Sequence, residues 1–342
     1  MEAKKNRSIR VAIIGMGLIG QERLSAIGKL LSKGRKIEIC GIYDPYCKRR
    51  ADIEKEFKVE FLNDFDTIYD RCPDWFLIAV PHDLGVKIAK QILKKGFNVF
   101  IEKPLGRTHK EAKMLSDCAV RPGQLWVGFN YRFFDGIAMA LEDIAKGKFG
   151  KLISVNMVLG HGCYPQIKQT WKLDSTKSGG GCLIDPGIHL LDLCRIISRD
   201  KLKVKCGLKW SGFWKTGIEE ECHLLLEAQD FVINLQVSIV RWRSTFRIEI
   251  NGEDGYGIIS GRGRSYGRQT YTYGRRWGWQ DNISQKDSEK LVIETAGEDV
   301  FVKELEALFY PDSRFFVKPC SAPEAVENMC ILEKCRKAIG LK

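Results

Sequence analysis

The chain has 342 residues, which at about 150 residues per domain is enough for roughly two domains. Hydrophobic residues make up 44% of the chain and aromatic residues 10%, so disorder is excluded as its dominant state. A formal charge of +12 favours anionic ligands without identifying one. No apolar run approaches the roughly 20 residues of a membrane helix, so we expect neither a membrane span nor a secretory signal.

The twelve cysteines never occur as Cys-x-x-Cys, and no spacing of histidine and cysteine suggests zinc. No metal is therefore expected. Unpaired thiols are typical of a reducing compartment, so we expect a cytoplasmic protein.

The first third of the chain alternates β-rich runs with helical patterns, which is typical of parallel strands joined by crossover helices. Segments 84–95 and 110–118 carry apolar residues at spacings of three and four, as one-sided helices do. The pattern predicts an α/β domain over residues 1–129. Its predicted strands are Arg10 to Ile14, Ile37 to Tyr43, Trp75 to Ala79, Asn98 to Ile101 and Trp126 to Phe129.

After about residue 130 the pattern changes to a helix-like segment, 137–146, and later to successive strands from 204 to about 259. An open, mostly antiparallel sheet with one helical face is the economical interpretation, and we assign residues 130–321 to this α+β domain. Ser321 and Glu324 form a capping box that begins a final helix over 322–340. That this helix packs back onto the first domain remains an open alternative.

The sharpest local signal is the glycine-rich turn Gly15-Met16-Gly17-Leu18-Ile19-Gly20, which directly follows the first predicted strand and precedes a helical pattern. Gly15 makes the tight turn, Gly17 lets backbone amides approach a pyrophosphate, and Gly20 permits close packing of helix and strand. Asp44 ends the second strand, where a carboxylate accepts hydrogen bonds from the adenosine ribose. These features predict a dinucleotide-binding Rossmann domain.

The expected cofactor is NAD, because the carboxylate of Asp44 repels a 2′-phosphate. Lys48, Arg49 and Arg50 lie just downstream and have the chemistry to pair with one, so NADP is the alternative.

A second motif, Glu102-Lys103-Pro104, follows a strand of the same sheet. The proline restricts Lys103 to extended geometry, which gives its ammonium a defined direction for polarising a sugar oxygen. On this tripeptide alone, a lysine that simply extends into solvent from a strand end is the better interpretation.

A third motif, Asp185-Pro186-Gly187-Ile188-His189, follows a run of three glycines. Proline suits the first helical position, so Asp185 is predicted as the N-cap, with His189 one turn further on. A histidine there is able to take a hydroxyl proton while a nearby carboxylate holds its tautomer. A capping aspartate beside a core histidine is an equally good interpretation of the pair alone.

The order of these motifs, with Asn130-Tyr131-Arg132 between the last two, resembles the glucose-fructose oxidoreductase, inositol dehydrogenase and rhizopine-catabolism family (Gfo/Idh/MocA) over nearly the whole chain. The resemblance implies a Rossmann domain, an α+β domain with a large open sheet, and nicotinamide-dependent chemistry at a sugar or cyclitol carbon. It also implies a homodimer or homotetramer.

The resemblance further implies that Lys103, Asp185 and His189 form the catalytic group, with His189 as the leading base or acid. Residues expected near the cofactor are Pro81, Glu102 and Asn130, and those expected at the substrate include Tyr131 and Arg132. One departure is Gly85, which stands four residues after Pro81 where the family commonly carries a histidine.

Two stretches of the second domain are candidates for substrate recognition. In segment 161–172, Lys168, Trp171 and Lys172 are the expected contacts, since an aromatic face suits a sugar ring and lysines suit hydroxyl or acidic groups. Segment 261–277 contains five arginines, and we hypothesise that Arg264 and Arg268 bind a phosphorylated or nucleotide-linked sugar. A structural role for Trp171, and a solvated hairpin or oligomer contact for the arginines, are the alternatives.

The sequence thus predicts an NAD(P)-dependent oxidoreductase acting on a CH–OH group of a sugar, cyclitol or nucleotide sugar. One alternative is a lyase or glycosidase that oxidises its sugar transiently and regenerates its cofactor. Another is a non-catalytic dinucleotide-binding regulator. A nucleic-acid partner is not expected, because no recognised motif is present and the positive charge is spread along the chain.

Overall fold

The computed structural model describes residues 7–199, 201–280, 289–296, 299–311 and 315–341. The chain divides into two compact units. The first unit comprises Met1–Asn130 and Phe301–Val326, and the second comprises Tyr131–Val300 and Glu327–Lys342. No helix in the described ranges is long and apolar enough to cross a membrane.

The elements are numbered in chain order. The strands are β1 (Ile9–Ile14), β2 (Ile37–Tyr43), β3 (Trp75–Ile78), β4 (Asn98–Glu102), β5 (Leu125–Gly128), β6 (Leu152–Gly160), β7 (Lys203–Trp210), β8 (Glu221–Glu227), β9 (Val232–Ser238), β10 (Thr245–Gly252), β11 (Gly255–Ser260), β12 (Gln269–Arg275), β13 (Lys290–Thr295) and β14 (Cys320–Ser321). The helices are α1 (Leu18–Ser32), α2 (Arg50–Phe57), α3 (Thr67–Asp70), α4 (His82–Lys94), α5 (His109–Asp117), α6 (Asp135–Ala145), α7 (Ser175–Ser178), α8 (Ile188–Ile197), α9 (Val300–Phe309) and α10 (Ala322–Ala338).

The first unit is built on a sheet with strand order β14-β5-β4-β3-β1-β2 among the described residues. Strands β1 to β5 pair in parallel, and the short β14 pairs antiparallel with β5. The expected Rossmann architecture is confirmed. In open α/β sheets, ligands bind beyond the carboxyl ends of the strands. The glycine-rich turn, Asp44, Pro81, Lys103 and Asn130 follow β1, β2, β3, β4 and β5 respectively, so the fold delivers these residues to the same edge of the sheet.

The boundary between the units differs from the sequence-based assignment at the C-terminal side. Residues 301–321 were expected in the second domain, but they belong to the first unit. The cause is the apolar face of α9, which places Val302, Leu305 and Leu308 in the same core as Leu24 and Ile27 of α1. Helix α10 begins in the first unit, and its residues from Glu327 onward belong to the second.

The second unit is built on a sheet with strand order β13-β12-β11-β10-β6-β9-β8-β7 in the described part of the chain. Its neighbouring strands are antiparallel except for the parallel pair β6 and β9. Alternate side chains of β8 and β10 are buried, as expected for a sheet with one covered face. The predicted open, mostly antiparallel sheet is therefore confirmed.

Candidate functional site

The glycine-rich turn forms a close-packed cradle at the start of α1. Gly15 adopts a φ of +90°, and a Cβ atom there would overlap the carbonyl oxygen of Ala79. A Cβ on Gly20 would overlap the carbonyl oxygen of Gly15, whereas a Cβ on Gly17 would meet no protein atom within 4 Å. Gly15 and Gly20 are thus required by the protein's own packing, and Gly17 faces open space where a ligand can approach the N-terminal amides of α1.

Asp44 joins the end of β2 to this cradle. Its Oδ2 accepts a hydrogen bond from the backbone N–H of Met16 at 2.7 Å, and its Oδ1 accepts one from Tyr46 at 2.9 Å. A carboxylate has about four acceptor positions, so two backbone amides leave capacity for ribose hydroxyl groups. The cradle and the carboxylate together fit a dinucleotide.

The basic residues after β2 are not equally available to a 2′-phosphate. The guanidinium of Arg50 donates to Asn63 Oδ1 and the Phe61 carbonyl oxygen, each at 2.7 Å, and faces Glu54. Arg49 donates to Gln21 at 3.1 Å, and Lys48 is exposed. The guanidinium of Arg50 is thus occupied by other groups of the protein. One of the three cations considered as partners for the 2′-phosphate of NADP is therefore not available to it.

The strand end that carries Lys103 is fixed by a buried arginine that the sequence analysis did not identify. Arg23, on α1, is almost fully buried and donates to Glu102 at 2.7 Å. The same guanidinium lies 2.7 Å from Glu304 and contacts the rings of Phe100 and Phe301. Glu102 is therefore a partner of Arg23, and its contribution is to hold the end of β4 in place. The Lys103–Pro104 peptide bond is cis.

Helix α4 shows the structural consequence of the glycine at position 85. A Cβ atom on Gly85 would lie 3.3 Å from Ile101 of β4 and 3.8 Å from Val80. The missing side chain thus allows α4, which begins just after Pro81, to lie close to the sheet.

In the second unit, His189 lies in the first turn of α8 with only 4% of its surface exposed. Its imidazole stacks on the ring of Tyr131, with centroids 3.8 Å apart and an angle of 8° between the planes. The buried stack fixes the orientation of the imidazole. The structure thus places Tyr131 beside His189, where it supports the imidazole ring.

Asp185 does not cap α8 as predicted. The helix begins at Ile188, its N-cap is Gly187, and no side chain caps it. Asp185 precedes a cis peptide bond to Pro186, and its Oδ2 lies 3.0 Å from the ammonium of Lys172. Because the carboxylate pairs with this lysine, it is not available to the helix amides. The Asp185 carboxylate raises the pKa of Lys172 above its ordinary value, against the opposing effect of burial.

The glycine-rich segment before Asp185 is held by a second buried carboxylate. Glu219 accepts hydrogen bonds from the N–H groups of Gly181 and Leu183 at 3.0 and 3.2 Å. A Cβ on Gly181 would overlap the backbone carbonyl oxygen of Glu219, so glycine is required for this close approach. Glu219 has no local sequence signal for this role, since only the folded chain brings it beside a segment almost forty residues away.

A cavity of about 860 Å³ opens in the second unit. Its charged lining is cationic, from Lys168, Lys172, Arg262 and Arg264, and none of the described residues that line it is acidic. A smaller cavity of about 50 Å³ shares His161, Cys163, Ile167 and Lys172 with it and also reaches Asp185. The two cavities therefore adjoin each other beside the Lys172–Asp185 pair. Its aromatic lining residues are Tyr164, Phe213, Trp214, Trp242 and Tyr266.

Phe213, Trp214 and Trp242 form an aromatic wall of the cavity, and the loop that carries the first two is held by a buried carboxylate. Glu220 accepts hydrogen bonds from the N–H groups of Gly212, Phe213 and Trp214 at 3.2, 2.9 and 2.8 Å. The loop after β7 is thereby curled around one side chain. The ring of Phe213 contacts that of Trp242 edge-on at 4.9 Å.

The sequence-predicted substrate residues are distributed unevenly around this cavity. Lys168, Lys172 and Arg264 line it. Trp171 is not among the described lining residues, and Arg268 forms an ion pair with Glu294. This pairing explains why Arg268 is directed elsewhere.

Arg132 also differs from the expected substrate contact. It is buried and makes a two-pronged ion pair with Asp192 at 2.6 and 2.7 Å. Asp192 lies one turn after His189 on α8 and also accepts from Asn328 at 2.8 Å. Since its guanidinium is occupied by a buried carboxylate, we assign Arg132 to positioning α8 instead of contacting substrate.

Comparison with known proteins finds a family match in each of the two units. The sequence model of the GFO/IDH/MocA oxidoreductase family, NAD-binding Rossmann fold, matches residues 9–129, and the family's C-terminal domain matches residues 137–257. The chain is 27% identical over 187 residues to glucose-6-phosphate 3-dehydrogenase of Bacillus subtilis (strain 168), which covers 54% of this chain and 52% of that protein. It is equally identical, over 54% of this chain and 56% of the other, to the rhizopine catabolism protein MocA of Rhizobium meliloti.

Among solved structures, levoglucosan dehydrogenase in complex with NADH and levoglucosan superposes with a TM-score of 0.81 at 18% identity over 97% of each chain. That likeness concerns the fold. The chain spans about half the length of the curated relatives it matches. Both domain models of one family match this chain, which also has the dinucleotide cradle and the buried His189. This protein therefore belongs to the GFO/IDH/MocA oxidoreductase family.

Proposed function

We propose that the protein catalyses reversible oxidation of a CH–OH group on a sugar, cyclitol or nucleotide sugar, with NAD as the preferred cofactor. The observation that carries the proposal is His189, which is buried and stacked on Tyr131 and lies four residues after Asp185, the carboxylate that pairs with Lys172. When bound, NAD(P) supplies the acceptor or donor of the hydride. The protein's own task is to bind the sugar, exclude water and move the hydroxyl proton.

His189 is the group best suited to move that proton. The unperturbed pKa of histidine lies near 6.5, so imidazole exchanges a proton readily near neutral pH. Stacking on Tyr131 limits rotation of the ring, and the proton therefore passes along a fixed direction. Asp185 and Lys172 provide opposite charges next to the large cavity. There they hydrogen-bond to hydroxyl groups of the substrate and fix its orientation. We assign Lys103 an electrostatic role in the same reaction, on the strength of its match to the family motif.

The test uses His189→Gln and Lys103→Met with His109→Gln as the matched histidine control. Removing a general base costs about 10²- to 10⁴-fold in turnover, and removing one electrostatic stabiliser costs about 10²- to 10³-fold. We expect losses of that size for the first two variants, with NADH affinity preserved, and no change for the control. Full turnover of a sugar by His189→Gln would refute the assignment.

The same assay separates net dehydrogenation from transient oxidation. Conversion of sugar with matching change in NADH absorbance supports a dehydrogenase. Conversion without net change in NADH, lost in His189→Gln, identifies the lyase or glycosidase alternative. A biological effect retained in His189→Gln and lost in a cradle variant identifies the regulator.

Self-association is proposed through the open face of the second unit's sheet. Leu208 is 76% exposed and Leu225 38%, and both line a groove of about 670 Å³ across β6 to β9. Apolar patches of this kind commonly mark interfaces. We expect Leu208→Glu to shift the wild-type oligomer to a smaller species in light-scattering chromatography, and an unchanged mass would contradict it. We also propose a cytoplasmic location, which is supported by twelve cysteines that form no disulfide in the described part of the chain.

A further inference from the structure

Two of the four cations that line the large cavity form no ion pair with a described carboxylate. Lys172 is paired with Asp185. Arg262, by contrast, has no carboxylate within ion-pair distance in the described part of the chain and lies against tyrosine rings instead: its guanidinium carbon is 3.8 Å from the centroid of Tyr266 and 5.3 Å from that of Tyr131. Lys168 likewise forms no ion pair with a described carboxylate, and its ammonium lies 5.9 Å from the ring of Trp214.

The contact with Tyr266 leaves Arg262 chemically competent toward an anion. A guanidinium meets an aromatic ring through its face, while its N–H donors lie in its own plane. Arg262 is half-buried, so its guanidinium has lost part of its hydration, and its buried Nε has no hydrogen-bond partner among the described residues. Phosphate and carboxylate groups match that arrangement, because their oxygens accept two parallel hydrogen bonds.

The position of Arg262 relates this cation to the candidate catalytic group. Tyr131 neighbours both, since its ring centroid lies 5.3 Å from the guanidinium carbon of Arg262 and 3.8 Å from the imidazole centroid of His189. Arg264 and Lys168 line the same cavity, on segments far apart in sequence. A ligand that reaches from the Asp185 end into the cavity therefore meets one region of positive charge.

The volume of the cavity adds a second constraint. Ligand pockets of about 300–1,000 Å³ hold drug-sized molecules, and this cavity of about 860 Å³ is near the upper end. One monosaccharide leaves much of it empty. The aromatic rings of Phe213, Trp214 and Trp242 supply flat surfaces for a second ring.

We propose that the substrate is an anionic sugar whose phosphate or carboxylate is bound by Arg262, Arg264 and Lys168, with the reacting carbon toward Asp185 and His189. This inference rests on the proposed function and specifies its substrate class. A nucleotide-linked sugar uses the most of the cavity, since its diphosphate meets the cations and its base meets the aromatic wall.

Titration calorimetry in the presence of NADH tests the proposal with glucose, glucose 6-phosphate, glucuronate and UDP-glucose as probes. A charge-assisted hydrogen bond changes affinity by roughly 10- to 100-fold. We expect the anionic probes to bind at least that much more tightly than glucose, with UDP-glucose the tightest and glucose 6-phosphate and glucuronate distinguishing phosphate from carboxylate. Binding of glucose with equal or greater affinity overturns the proposal.

Matched variants locate the anion. Lys168→Glu and Arg264→Glu change one cavity cation each, and Arg275→Glu changes an exposed arginine of β12 outside the described cavity lining. We expect the first two to weaken the preferred anionic probe by roughly 10- to 100-fold and to leave glucose unchanged. The control should retain wild-type affinity. Equal losses in all three variants would mean a diffuse electrostatic effect and would overturn the assigned site.

Failure of this proposal is distinguishable from failure of the proposed function. If a neutral sugar is oxidised in a His189-dependent manner without preference for anions, only the substrate class is wrong. If His189→Gln has full turnover yet anions bind and depend on Lys168 and Arg264, the cavity assignment stands and the catalytic one fails.

Discussion

The cofactor cradle and the large cavity differ in which atoms define their shape. In the cradle, backbone atoms define the shape, and Gly15 and Gly20 are required because any side chain there overlaps a carbonyl oxygen. The cavity is defined by side chains from segments 161–172, 213–214, 242–244 and 262–266. The cradle is therefore sensitive to one added carbon atom, whereas the cavity is sensitive to charge and to the buried groups that hold its segments in place.

The largest expected effect concerns a buried support of the second unit. Asp192→Ala leaves the buried guanidinium of Arg132 without its carboxylate and also removes a contact 3.4 Å from Arg195. Removing one partner of a buried pair costs about 3–5 kcal/mol, and we expect that loss in the free energy of unfolding by urea. Asp117→Ala removes an exposed pair with Lys113 and should cost less than about 1 kcal/mol. Similar losses in both variants would show that burial does not set the energy here.

The next effect separates two glycines of the cradle. Gly20→Ala forces an overlap with the Gly15 carbonyl, and overpacking of this kind costs about 1–3 kcal/mol in unfolding free energy. Gly17 has a φ of −65°, which alanine adopts without strain, and its Cβ meets no protein atom. We therefore expect Gly17→Ala to melt like the wild type.

Cofactor affinity gives the complementary readout for the same pair. The methyl group of Gly17→Ala occupies the space through which a pyrophosphate approaches the helix amides, so NADH affinity should fall by roughly tenfold or more. Fluorescence titration with NADH measures this. Unchanged affinity in Gly17→Ala would mean that the open face of the cradle does not receive the dinucleotide.

The same contrast explains what the sequence could predict. The roles of Gly15, Gly17 and Gly20 depend on backbone geometry between neighbouring elements, so spacing alone could predict them, and the packing at Gly15 and Gly20 agrees with the prediction. The cavity draws Trp214, Trp242 and Arg262 from separate loops, and no local pattern links residues that meet only after the sheet has formed. Arg268 was selected by composition together with Arg264, but its pairing with Glu294 depends on the register of β12 and β13.

The buried charges were the other class of residue that sequence reasoning missed. Arg23 resembles any helical arginine until α9 supplies Glu304 and Phe301 from almost three hundred residues away. The only local signal is its place among the apolar residues of α1, next to Leu24 and near Ile27. A charged residue at a core-facing helical position predicts a buried partner without saying which residue it is.

A smaller effect concerns the chemistry of the cavity wall. Burial raises the pKa of the Cys163 thiol to about 12. At pH 8 the reactive thiolate is then on the order of one part in ten thousand. We expect iodoacetamide to modify exposed Cys72 and Cys206 long before Cys163, as measured by peptide mass spectrometry. Rapid modification of Cys163 would mean that water reaches this part of the wall freely.

The smallest effect concerns the Lys172–Asp185 pair, whose lysine side chain is 44% exposed. Asp185 raises the pKa of Lys172 in the folded protein, so the pair stabilises the fold fully below the unfolded value of about 10.4. That stabilisation is lost as pH rises through the higher folded pKa. Lys172→Gln should therefore cost at most about 1 kcal/mol at pH 8, because solvent screens the pair. The difference from wild type should shrink above about pH 10.4 in urea titrations, and a difference that grows with pH would contradict a pair held by charge.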